Sequence, residues 1–210
     1  MALLHKAKIT PGKLELIAAW LPGRAWYAGP ADGEVVRVGS FRFDDPAGEV
    51  GVETSLVRVG DGPTYQVPLT YRGAPLDGAD GWLVGTTEHS VLGPRWVYDA
   101  CGDPVYAATL AHAIYTGGGQ AEEYFEVDGR REVRPPNMTL AVDGAPNAPA
   151  PAVGSIGQVL PEDPTVIVSD AVQLTVVRRL DGHDRLAGTV LTGTWPGQPA
   201  PVPLAYAATR

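Results

Sequence analysis

Between Val35 and Tyr71, apolar and polar residues alternate in three runs separated by turn residues. Val35–Phe43 (VVRVGSFRF), Val50–Val59 (VGVETSLVRV) and Thr64–Tyr71 (TYQVPLTY) carry the two-residue period of half-buried strands. Pro68, inside the third run, predicts an edge strand or a bulge, because proline cannot donate to a ladder. Gly81–Glu88 and Trp96–Ala100 add two short strands. The period then changes. Asp103-Pro104 reads as N-cap and first residue of a helix, VYAATLAHAIY, that Gly117–Gly119 terminates. Val105, Thr109, His112 and Ala113 lie on one stripe, and Tyr106, Leu110 and Ile114 on another. So little polar surface predicts a helix covered on more than one side. Nearer the start, residues 3–9 read as an edge strand. A helix from about Lys13 to Leu21 follows, with Thr10 as N-cap and Pro11 at its first position.

The second half has a different texture. Ala121–Val133 predicts a hairpin turning at Asp128-Gly129. Residues 135–164 are rich in Pro, Ala and Gly, lack periodicity, and read as a linker or loosely ordered loop. Thr165–Val168, Ala171–Leu180, Leu186–Thr194 and Val202–Ala207 read as strands. No repeat of fixed period is present. The expected class is α+β: a curved antiparallel sheet packed on a helix, then a second, mostly antiparallel β subdomain. The expected domains are 1–116 and 117–210.

Composition supports short strands and tight turns, with 26 Gly, 20 Pro and seven Asp-Gly pairs in 210 residues. The formal net charge of −8 argues against a nucleic-acid partner. No apolar window is long enough to cross a membrane, and Lys6 and Lys8 interrupt the apolar start. With a single cysteine, Cys101, the expected compartment is cytoplasmic.

Candidate chemistry is sparse. His5, His89, His112 and His183 show no metal-ligand spacing. Glu88-His89, Asp99 and Cys101 would make an acid–base or thiol site only if the fold assembled them. Asp44, Asp45, Glu49 and Glu53 form the densest carboxylate group, suited to glycoside hydrolysis or a divalent cation. On an Asp-Asp-Pro turn, such residues are more often turn formers and solvated charge. Gly117–Gly119 follows a helix, whereas phosphate loops precede one. No catalytic residue, metal site or cofactor is expected. Trp20, Trp26 and Tyr27 cluster around Leu21-Pro22-Gly23 as core packing or as a ligand platform.

Trp20-Leu-Pro-Gly-Arg-Ala-Trp26-Tyr-Ala-Gly29 resembles a segment near the N-terminus of bacterial maltokinases. Tyr65-Gln-Val-Pro-Leu69 and Tyr98-Asp-Ala-Cys-Gly-Asp-Pro-Val-Tyr106 resemble later parts of the same N-terminal cap. The resemblance covers roughly residues 1–115 and is nearest to stand-alone actinobacterial cap-like proteins. It implies a cystatin-like cap, which in maltokinases sits on an aminoglycoside-phosphotransferase-type kinase. Pro164–Asp170 and Leu174–Leu180 look like part of the kinase small lobe. Thr175 stands where that family has a nucleotide-binding Lys, and no Lys follows Lys13. A kinase large lobe is not expected in this length.

The resemblance thus implies a non-catalytic module in α-glucan and maltose-1-phosphate metabolism. Its partner would be another protein (a kinase or glucan enzyme) or a second copy of itself. Trp26, Tyr27, Tyr106, Leu110 and Ile114 are the expected interaction surface. Alternatives are an α-glucan-binding module stacking sugars on Trp82, Trp96 and Trp195, and a degenerate sugar kinase or glycoside-processing enzyme.

Overall fold

The computed structural model describes residues 2–3, 7–127, 129–144, 149–182 and 186–209. The first six-stranded sheet contains β2 (Ile9–Thr10), β3 (Val35–Phe43), β4 (Gly51–Val59), β5 (Thr64–Arg72), β6 (Leu83–His89) and β7 (Gly93–Asp99). Its spatial order is β2-β6-β7-β5-β4-β3, with every pair antiparallel. The three alternating runs of the sequence form β3, β4 and β5 with shifts of at most one residue. β4 is buried at nearly every position because both sheet faces are covered.

Helix α1 (Lys13–Trp20) lies on one face, continued by a 3-10 turn at Leu21–Gly23. Leu16, Ile17, Trp20 and Trp26 pack there on Val57, Tyr65, Val67, Leu69 and Val97. Thr10 does not cap this helix, because it pairs with Glu88 in β2. Gly12 takes the cap position, and the Glu15 carboxylate reaches back to accept from its N–H.

Helix α2 (Pro104–Thr116) lies on the opposite face, and a second sheet covers it from beyond. Asp103 caps it by accepting from Val105 N–H at 2.9 Å, and Gly117 ends it in the left-handed conformation at φ 67°. The second sheet runs in the order β10 (Thr139–Asp143), β14 (Thr189–Trp195), β15 (Gln198–Thr209), β13 (Val172–Val176), β12 (Thr165–Ser169), β11 (Ile156–Leu160). One apolar core joins Phe41, Phe43, Val52 and Leu56 to Tyr106, Leu110 and Ile114 of α2. It continues into Ile167, Leu174, Leu191 and Leu204 of the second sheet. A small third sheet adds β1 (Ala2–Leu3), parallel to β8 (Glu123–Val127), which pairs with β9 (Arg130–Arg134).

Two expectations change here. The segment 135–164 is no simple linker, since it supplies both edge strands of the second sheet, β10 and β11. Their short, partly exposed patterns in a Pro/Ala-rich context carry little periodicity. β5 is central rather than an edge, and its partner changes along its length. Thr64 and Gln66 bond to Leu180 and Arg178, whereas pairing with β7 starts at Leu69. Pro68 falls at the junction, where its missing N–H leaves no ladder bond unmade. The hairpin expected at Ala121–Val133 is formed by β8 and β9, but its turn residue Asp128 lies outside the described residues.

Candidate functional site

Two buried charge clusters stand out, one at the seam between the sheets and one on the α1 face. At the seam, β7 ends at Asp99 and the chain leaves β13 through Val177 into Arg178. Arg178 is fully buried. Its Nη2 donates to both Asp99 oxygens at 2.9 and 2.7 Å, and its Nε donates to Thr165 Oγ1 at 2.8 Å. Its backbone N–H donates to Asp163 Oδ1, and its guanidinium lies 5.1 Å from the Trp26 ring centroid. Gln66 adds a second tie, its Nε2 donating to the Val177 and Leu204 carbonyls at 2.9 Å each. A buried arginine is tolerable only with such partners. Burial works against its charge, but Asp99 outweighs that and raises its pKa.

Cys101 sits beside this pair. Its N–H donates to Asp99 Oδ1, and burial pushes the thiol pKa far up. A thiol so held is not a nucleophile at neutral pH. Glu88 and His89 lie at the opposite end of the β6–β7 hairpin from Asp99, so the fold does not assemble the acid–base set. His89 Nδ1 accepts from Val91 and Leu92 N–H and shapes the turn there. His112 is exposed on α2, while His5 and His183 lie outside the described residues. No group of three metal-ligating side chains occurs among the described residues.

The second cluster surrounds Glu53. This carboxylate is buried on β4 and ion-paired with Lys13, with Arg42 (3.4 Å) and with Arg37 (3.6 Å). Burial alone would raise its pKa, but Lys13, Arg42 and Arg37 together pull it down to about 2. The grouped carboxylates of the sequence are thus separated by role. Asp45 forms the turn by accepting from Ala47, Glu49 and Val50 N–H, Asp44 and Glu49 are exposed, and Glu53 is an internal counter-ion. The solvated reading holds for the turn and fails for Glu53.

A third buried carboxylate, Asp103, accepts two bonds from Arg72 at 2.7 Å while capping α2. Lys13, Arg72 and Arg178 carry no sequence motif. The one signal for Arg178 is a charged pair interrupting the apolar run Val172–Leu180.

The aromatic and helical residues expected at a surface are mostly internal. Tyr106, Leu110 and Ile114 are buried between α2 and the two sheets, so the chain's own second sheet takes the contact expected of a partner. Trp26 is buried against Trp20 and Tyr65, and Tyr27 is half-buried with its hydroxyl donating to the Pro30 carbonyl. Of the expected sugar platforms, Trp195 is buried, and Trp82 packs so closely over Gly102 that a Cβ there would lie 2.2 Å from its ring. Trp96 is half-buried on β7. Apolar bulk made these rings look available, but the same bulk drew them inward.

A curved antiparallel sheet with helices on both faces, tied by a buried ion pair to the chain beside a second sheet, defines an α+β module. Residues 20–103 match the family model of the maltokinase N-terminal cap domain, and this segment is a maltokinase cap-like domain. The match runs from the end of α1 through β3–β7 to the N-cap of α2, fewer than half of the residues. No curated protein matches the chain. Among the described residues, no helix is long and apolar enough to cross a membrane.

Proposed function

We propose that this chain is a non-catalytic cap module that acts through protein contacts in α-glucan and maltose-1-phosphate metabolism. Its partner is a kinase or a glucan enzyme of that chemistry. The match to the maltokinase cap domain supports the metabolic context. The observation that carries the non-catalytic reading is the use made of buried charge. Glu53, Asp99 and Asp103, the buried carboxylates among the described residues, each bond to lysine or arginine as struts. A general acid or base needs a carboxyl free to exchange its proton with substrate, whereas each of these is held by its cation, and Glu53 is pulled down to about 2.

Two measurements test the proposal together. Thermal unfolding with and without Mg-ATP and maltose should show no shift, since a ligand stabilises in proportion to its occupancy. Size-exclusion and pull-down from a native lysate should recover a kinase or glucan enzyme with the chain. A shift of several degrees with Mg-ATP, or a strict monomer without partner, would overturn it.

A further inference from the structure

The first sheet is longer than the helix laid on it. Strands of nine residues span about 30 Å, whereas the eight residues of α1 cover about 12 Å. Beyond the helix N-terminus the sheet face stays open as a cleft of 690 Å³, and its lining includes Lys13, Arg42, Tyr71, Arg95 and His89. We infer that this cleft binds a small oxyanion, inorganic phosphate or the head of a phosphomonoester, on Lys13, Arg42 and the Tyr71 hydroxyl.

Two independent observations lead there. The first is charge. Lys13, Arg37 and Arg42 share the single carboxylate of Glu53, which leaves a local surplus of two positive charges, and two of these cations, Lys13 and Arg42, line the cleft. Lys13 is also the first residue of α1, where the positive end of the helix adds to its field. The second is a set of unmade hydrogen bonds. The Tyr71 hydroxyl, Arg42 Nε and Arg37 Nε are all buried without a partner. Unpaired buried donors are costly, and the two on cleft-lining residues, Arg42 Nε and the Tyr71 hydroxyl, form a donor pair that a tetrahedral oxyanion can satisfy. Asp45 on the rim is occupied by backbone N–H groups, while Asp44 and Glu49 stand exposed there. Those two carboxylates admit a compact head and repel a polyphosphate.

The site does not depend on the proposed role, and its test can fail separately. Inorganic phosphate is titrated into the full chain and followed by 31P NMR, with glycerol 3-phosphate and ATP as comparison arms at constant ionic strength. Saturable binding is expected with Kd near or below about 1 mM, with ATP weaker than either. Tyr71→Phe removes a hydroxyl that holds nothing in the free protein, so its thermal unfolding should match the parent while phosphate affinity drops about fivefold or more. Arg42→Gln should abolish saturation. A linear, non-saturating response to phosphate would overturn the inference, as would equal affinity in Tyr71→Phe. Glycerol 3-phosphate binding more tightly than phosphate would identify a phosphomonoester, and equal binding would identify the free anion.

Discussion

Asp99 closes β7 of the first sheet and Arg178 leaves β13 of the second, and the two meet in a buried, two-oxygen ion pair at 2.7 and 2.9 Å. The pair is a rivet between sheets, because Asp99 ends a strand of the first and Arg178 lies two residues past β13 of the second, where the chain crosses over to bond β5. Removing one partner strands the other charge in the core. Asp99→Asn or Arg178→Met should therefore cost about 3–5 kcal/mol in urea unfolding. The double replacement Asp99→Leu/Arg178→Leu should lie closer to the parent than either single change, because it leaves no lone charge. A double variant as unstable as the sum of the two would contradict the rivet.

Glu53 makes stability depend on acid. Its carboxyl titrates near 2 in the folded chain and at about 4.5 when free. A lowered folded pKa contributes stability that is fully present above about 4.5 and is lost as pH falls through about 2. That contribution is on the order of 3 kcal/mol. Urea midpoints measured between pH 5 and pH 2 should fall in the parent and flatten in Glu53→Gln.

Asp103 holds two structures at once, the first turn of α2 and the Arg72 guanidinium. Asp103→Ala should cost about 2–4 kcal/mol, more than a cap alone, because Arg72 also loses its partner. Arg72→Met spares the cap bond but strands the fully buried Asp103 carboxylate, so it should cost about as much.

Gly102 lies under the Trp82 ring, where even a methyl group has no room. Gly102→Ala should cost about 1–3 kcal/mol through overpacking, with a change in tryptophan emission as the ring is displaced. An unchanged spectrum and stability would show that Trp82 is free to move and remains available as a sugar platform.

Much of the fold can be read from local pattern. The alternation of Val35–Tyr71 gives β3, β4 and β5, and Asp103-Pro104 with Gly117 brackets α2, because period and capping are local signals. The apolar character of α2 also shows that it must be covered twice. What covers it is a different matter. The partner of Asp99 lies 79 residues away, and no local property of Val176-Val-Arg-Arg-Leu180 says where its arginine points. β10 and β11 escape notice because edge strands with one exposed face in a Pro/Ala-rich segment lack the contrast that defines a period. Glu53 looks like one more solvated turn carboxylate until β3 and α1 bring three cations onto it. The cleft lined by Lys13, Arg42 and Tyr71 is likewise invisible locally, being made where a short helix stops on a longer sheet.

The first and second sheets are held as one unit by α2 and the Asp99–Arg178 rivet. Native-state hydrogen exchange measures it most directly, reading the opening free energy of each element. Amides of β4 and β5, of α2 from Ala107 to Ile114, and of β13 to β15 should share one highest opening free energy and should fall together in Asp99→Asn. Exchange of β13 to β15 at a clearly lower free energy, unmoved by Asp99→Asn while the first sheet stays protected, would contradict it.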